Sequence, residues 1–192
     1  MTSTESRATL KILIAKAQVC GLHHHPEINE QSRHLIKTAD QEKRMLHTRE
    51  LESICAQSGT HLEASALIIS EAANYVDRCK QTLQSQQAHL FEEGGALYPT
   101  ERSDACWRDC WNFLRVASYA MASNTSECTD ASGIQAVRQL YTLMNVPADG
   151  MTLALQTLSR LITTDLLQRN HQREAVCIEK AFAHLNRELH KD

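Results

Sequence analysis

The sequence predicts an all-α fold, on three observations. Glycine and proline are scarce, with 6 Gly and 3 Pro in 192 residues, whereas all-β folds need many turns and turns draw on those residues. Apolar residues recur at helical spacing through several long runs. Short polar or Gly/Pro breaks separate those runs. Hydrophobic residues make up 42% of the chain, enough for a core in one domain.

Each element follows from the same reading. Residues 6–20 form an amphipathic helix through Leu10, Leu13, Ile14 and Ala17, and Gly21 to Pro26 break it. A short helix is expected over 27–37. A longer one covers 38–58, with Leu46, Leu51 and Ile54 on one side and Gly59 as its stop. The clearest amphipathic run is 60–87, with Leu62, Ala66, Ile69, Ala73, Val76 and Leu83 as its stripe. A loop with adjacent glycines and a proline follows. Helices are then expected over 101–121, over 130–144 behind an Asp130 cap, over 150–168 with Asp149 as cap, and over 171–190 carrying Val176, Phe182 and Leu185. Seven or eight helices of uneven length suggest globin-like packing rather than a four-helix bundle.

Composition narrows the function. A net charge of −3 without a basic stripe argues against nucleic acid. No apolar run reaches the ~20 residues of a membrane span, so no membrane insertion is expected. Lys11 and Lys16 interrupt the N-terminal apolar patch, which is therefore not read as a signal peptide. Seven cysteines, an odd number, fit a reducing, cytoplasmic setting better than a disulfide scaffold. Most of these thiols read as small core residues. No catalytic constellation is present, so an enzyme is not expected.

The chemistry lies in residues 105–120. On a helix, Cys106, Asp109, Cys110 and Phe113 fall at i, i+3, i+4 and i+7 and share a face, with Arg108 beside it. Cys106 and Cys110 could instead pair on a metal, but zinc takes four ligands and no second Cys or His pair is evident in sequence, so no metal centre is expected. His23 to His25 read as a solvated loop. Trp107 and Trp111 read as packing residues, and Trp111 could also lie against a ligand.

These residues carry a family resemblance. The run Cys106-Trp107-Arg108-Asp109, then Phe113-Leu114-Arg115, then Tyr119-Ala120, resembles the pigment helix of phycobiliproteins. Gly94-Gly95-Ala96-Leu97-Tyr98 resembles the family's Gly-Gly-Asn-Ala-Tyr loop. Ala39-Asp40-Gln41-Glu42-Lys43-Arg44-Met45-Leu46, with Glu50-Leu51 after it, resembles the family's Ala-Asp segment. Gly133, Val137-Arg138, Tyr141 and Pro147 extend the match downstream. Departures stand at Met45, Ala96, Asn112 and Ala122-Ser123-Asn124. The resemblance implies a globin-like phycobiliprotein domain over residues 37–192 behind an N-terminal helical extension over 1–36.

The resemblance also implies a ligand. A phycocyanobilin-like linear tetrapyrrole would be held by a thioether to Cys106, with or without a bilin lyase. Asp109 would accept from the central pyrrole N–H groups. Arg108 would pair with one propionate and Arg102 with the other, and Phe113 and Tyr98 would flank the pigment. Light absorption, energy transfer or bilin storage would be the function. Asp40 and Arg115 would pair across an interface with a second copy or a related subunit. Two alternatives follow: a reversible bilin carrier, akin to globins associated with bilin biosynthesis in non-photosynthetic bacteria, and a haem or sensory globin with His171 or His184 as proximal ligand.

Overall fold

The structure, a computed structural model, describes residues 3–191. Eight α-helices run in chain order: α1 (Ser3–Lys16), α2 (Glu30–Gln41), α3 (Thr48–Ser58), α4 (Leu62–Gln86), α5 (Thr100–Ala122), α6 (Ala131–Leu143), α7 (Ala148–Gln168) and α8 (Gln172–Leu189). Single 3-10 turns lie at Leu22–His24 and Ala88–Leu90. The expected all-α fold is present. The 36/37 position expected to separate the extension from the domain falls inside α2.

Local chemistry sets the helix ends. The Asn29 side chain accepts from the Ser32 N–H at 2.9 Å and opens α2. Asp130 accepts from the Gly133 N–H at 2.6 Å and opens α6. Both satisfy donors that the first turn leaves unpaired. Gly59 closes α3 at φ 70°, a left-handed conformation that costs glycine little. Asp149 lies inside the first turn of α7, and Pro147 holds the cap position in its place.

The single helix expected over 38–58 is two helices. Lys43 takes φ 53°, which ends α2. Arg44 then clamps the turn: its Nη1 and Nη2 reach the two Glu50 carboxylate oxygens at 2.7 and 2.9 Å. Glu50 Oε2 also accepts the His47 N–H at 2.7 Å, a reciprocal cap for α3. Leu46, Leu51 and Ile54 are buried as expected, but through a turn rather than along one face. On α4 the buried stripe is Ala64, Ile68, Ala72, Tyr75, Cys79 and Leu83. Ala66 and Ala73, expected inside, are exposed, while Leu62, Ile69 and Val76 flank the stripe half-buried. The stripe shifts because α4 packs against both α5 and α7, and Tyr75 donates its hydroxyl to Asp165 on α7 at 2.9 Å.

Helix α5 is the centre of the molecule. Every residue from Phe113 to Ala122 is buried, Arg115 included. The Arg115 Nη1 lies 2.8 Å from Asp40 Oδ1 of the same chain and donates to the Tyr119 hydroxyl at 2.9 Å. Tyr119 in turn donates to the Arg44 carbonyl. Asp40 and Arg115, expected to meet across two subunits, meet within one chain instead, and the buried Arg115 Nε has no hydrogen-bond partner.

The N-terminal segment is fastened by its backbone. The Gly21 N–H donates to Cys128 O at 2.8 Å, and the Asp130 N–H donates to Val19 O at 3.0 Å. A Cβ on Gly133 would stand 2.2 Å from Gln18 O, so only glycine admits this crossing. Helix α1 is thereby laid against α6.

Removing the Asp40 carboxylate leaves the Arg115 guanidinium buried without its anion. Asp40→Ala is expected to cost about 3–5 kcal/mol in urea unfolding. A cost under about 1 kcal/mol would mean that the pair behaves like a surface bridge.

Candidate functional site

The first half of α5 borders an apolar cavity of about 270 Å³. Cys106 and Asp109 form one wall, one turn apart, with Ala105 and Arg102 beside them. Leu140 and Tyr141 of α6, with Met144 and Val146 just after it, form the second wall, and Leu97 closes the loop side. Leu10 and Ile14 of α1 cover the outside.

Asp109 and Tyr141 are the polar core of this space. The Tyr141 hydroxyl donates to Asp109 Oδ2 at 2.7 Å. Burial pushes the Asp109 carboxyl above its ordinary range, and the Tyr141 hydrogen bond and nearby Arg108 offset this only in part. Burial and the adjoining carboxylate push Tyr141 well up. The cavity therefore penalises a bare anion at Asp109 and favours a ligand that brings N–H donors or positive charge to it.

The seven thiols are all free. Cys106 lines the cavity at 6% exposure, whereas Cys20, Cys79, Cys110 and Cys128 have none. The Cys110 thiol is pushed well up by hydrogen bonds with Cys106 and Cys79, then by burial. Burial pushes Cys20 up to about 12 and Cys177 up to about 11, and drives Cys128 up as well. Thiolates are the nucleophiles, so these thiols are poor ones.

The sequence-derived site residues divide. Cys106, Asp109 and Arg102 line the cavity. Arg102 is already engaged: its Nε donates to Ala96 O at 2.6 Å, and its Nη2 to Met144 O at 2.9 Å and Asn145 O at 3.1 Å. Arg108 is exposed and close enough to Asp109 to influence its carboxyl, but it is not among the lining residues. Phe113, 1% exposed, is in the core instead, because its end of α5 is enclosed on all sides. Tyr98 is 46% exposed, and its neighbour Leu97, rather than Tyr98 itself, lines the cavity. Trp107 stacks on Phe91 at 5.8 Å, and neither Trp107 nor Trp111 is among the lining residues.

Sequence reasoning missed Tyr141 as a site residue, although Tyr141 stands in one of the matched motifs. It also missed Leu10 and Ile14, assigned to a core-facing stripe. Ile14 is 57% exposed and forms the rim of the cavity instead. The haem reading finds no support here: His171 caps α8, His184 bonds Thr129 Oγ1 at 2.8 Å, and neither lines this cavity.

An eight-helix fold, a thiol and a carboxyl one turn apart on its central helix, and an apolar cavity beside them place the chain in a known class. A family model described as phycobilisome protein matches residues 34–189, and the chain belongs to that family. It is 31% identical over 133 residues to allophycocyanin subunit beta-18 of Nostoc sp. strain PCC 7120, covering 69% of this chain and 78% of that one. It is 28% identical over 158 residues to the phycobiliprotein beta chain of Mastigocladus laminosus, covering 81% and 93%. The fold matches a far-red fluorescent biliprotein derived from an allophycocyanin F subunit of Chroococcidiopsis thermalis. The TM-score is 0.62 at 21% identity, over 68% of this chain and 96% of that one. At that identity the structural likeness shows the fold alone.

The raised Asp109 carboxyl has a definite pH signature. A carboxyl raised on folding supports the native state fully below its unfolded pKa, about 3.9, and that support is lost as pH rises through its folded value. Asp109→Asn is therefore expected to gain thermal stability relative to wild type as the pH rises above about 4. A difference that stays constant with pH would show that Asp109 titrates as it does in the unfolded chain.

Proposed function

We propose that this chain binds a linear tetrapyrrole in the cavity beside Cys106, as a light-absorbing or bilin-storing protein rather than an enzyme. One observation carries the reading: the Cys106 thiol and the Asp109 carboxyl line the same apolar cavity. A bound bilin supplies visible absorption through its conjugated system. The chain's residues attach, charge-balance and enclose it.

Cys106 forms the covalent link. Its Sγ would hold the pigment by a thioether, through addition of the thiol across an exocyclic double bond with the proton passing to the neighbouring carbon, which needs no redox partner. Asp109 would accept from the pyrrole N–H groups, and positive charge on the pigment would favour its ionised form. Arg108 is exposed near Asp109, and its planar fork would meet a propionate arm of the pigment. Arg102 holds three carbonyls and shapes the entrance, so its role is positioning.

The residue chemistry fits the pigment. Pockets for organic ligands span about 300–1,000 Å³, and this cavity of about 270 Å³ lies just below that range. Ile14 and Met144 line it and are also exposed, 57% and 43%. An apolar rim of this kind marks a binding surface, and outward movement of α1 would lengthen the cavity.

No helix among the described residues is long and apolar enough to cross a membrane. A cytoplasmic setting is part of the proposal and rests on the seven free thiols. Several relatives are named as subunits or chains of multi-chain pigments, and that supports association with a related subunit. A lyase would be needed only if Cys106 fails to react unaided.

Co-expression with phycocyanobilin synthesis tests the reading. The denatured wild-type band is expected to fluoresce in the presence of zinc, and Cys106→Ala is expected to lose that signal. Asp109→Asn is expected to keep the link but weaken the long-wavelength absorption of the native protein. A native protein that stays colourless sinks the proposal; a coloured native protein with a colourless denatured band converts it to reversible carriage.

A further inference from the structure

A second cluster of ligand-bearing side chains lies away from the pigment cavity, where the α3–α4 and α7–α8 turns meet. His61 holds the cap position of α4, and His171 holds that of α8. Glu174 stands in the first turn of α8, three residues after His171. One ligand atom from each of the three lies within 4.8 Å of the others. The two imidazole rings stand 5.4 Å apart, tilted by 46°.

Glu174 makes this more than a surface coincidence. Its side chain is 1% exposed. Its Oε1 accepts the His61 backbone N–H and faces His61 Nδ1, each at 2.9 Å. Its Oε2 is buried with no hydrogen-bond partner. A buried carboxylate oxygen without a donor is costly. A cation is the partner that would satisfy it. The neighbouring Arg173 does not serve, because its Nη1 and Nη2 are spent on Gly59 O at 2.8 Å and Ser58 O at 3.4 Å.

We infer that His61, His171 and Glu174 form a divalent transition-metal site of the zinc type. Two imidazoles and one carboxylate are borderline ligands that suit zinc. Three protein ligands leave a fourth position for water, and His61, 66% exposed, puts that position at the solvent side. Ligands on one zinc at about 2.0–2.2 Å stand roughly 3.5 Å apart, so the cluster must close by about 1 Å, within reach of imidazole rotation on an exposed side chain. The bound ion would tie the start of α4 to the start of α8. Sequence spacing conceals the site, since His61 and Glu174 are separated by 113 positions.

Zinc titration of the full-length chain, followed by calorimetry and thermal unfolding, tests the site. Wild type is expected to bind one zinc at this cluster and to unfold at a higher temperature with zinc present. His171→Ala and His61→Ala are each expected to weaken binding at least about tenfold and to lose that thermal gain. Glu174→Gln probes the buried ligand but removes a fold contact, so the two histidine variants are the decisive ones. Cobalt substitution supplies the signature: visible bands of a nitrogen and oxygen site, without thiolate charge transfer. No zinc-dependent rise in wild type overturns the inference. An equal rise in His171→Ala and His61→Ala, or cobalt bands of thiolate type, places the metal at other ligands and overturns it too.

Discussion

A guanidinium with 2% of its surface exposed must be met by an anion and by hydrogen-bond acceptors at close range, or the helix that carries it cannot stay buried. Arg115 poses that demand at the middle of α5. Asp40 meets it from the last turn of α2, and Tyr119 lies beside it on α5. Tyr119 passes the constraint to the Arg44 carbonyl, in the turn where Arg44 also grips Glu50. The chain must therefore turn sharply after Gln41, and α3 must start where Glu50 can reach back. One buried charge thus fixes the α2–α3 corner and the depth of α5. Cys106 lies nine residues earlier on the same helix, about 14 Å along its axis, so its position is set from the same anchor.

The opposite end of α5 obeys a different constraint. There the helix leaves the packed core and faces α6 across an apolar gap. The N-terminal segment crosses the start of α6 at Gly133, where only a missing side chain allows the approach to Gln18. That crossing lays Leu10 and Ile14 over the gap. The backbone contacts at Val19, Gly21, Cys128 and Asp130 hold the root of α1 in place. Its own grip is weaker: of Leu10, Leu13 and Ile14, only Leu13 is buried. A helix fastened at its base and lightly packed along its length suits a cover that has to admit a ligand.

Much of this was legible in the sequence because it depends on short-range chemistry. Helix number, the Gly59 stop and the Asp130 cap follow from residues within a turn of one another. Cys106 and Asp109 were legible for the same reason, since i and i+3 share a face on any helix. The break at residues 42–47 was not, because it rests on Lys43 in a left-handed conformation and on a clamp between Arg44 and Glu50 that helical spacing alone does not reveal. The α4 stripe was misplaced because α4 is contacted by α5 and α7 from different sides, and periodicity returns one mean direction. Phe113 was drawn into the site by its heptad position. Spacing cannot tell that the enclosure of α5 becomes complete at that residue. The Tyr141 hydrogen bond to Asp109 spans 32 positions, and only the fold brings its two ends together.

The Asp40–Arg115 pair shows how far family membership carries. Both residues stand where the family's motifs place them, and the family pattern argued for a contact between subunits. Geometry assigns the pair to one chain, with a 2.8 Å contact and both side chains buried. An ion pair completed internally has no charge left to offer a partner, and breaking it to form the same contact across an interface would return no net electrostatic gain. Cys106 and Asp109 come together through the spacing of one helix. An interface requires two surfaces to agree, and no single helix specifies both.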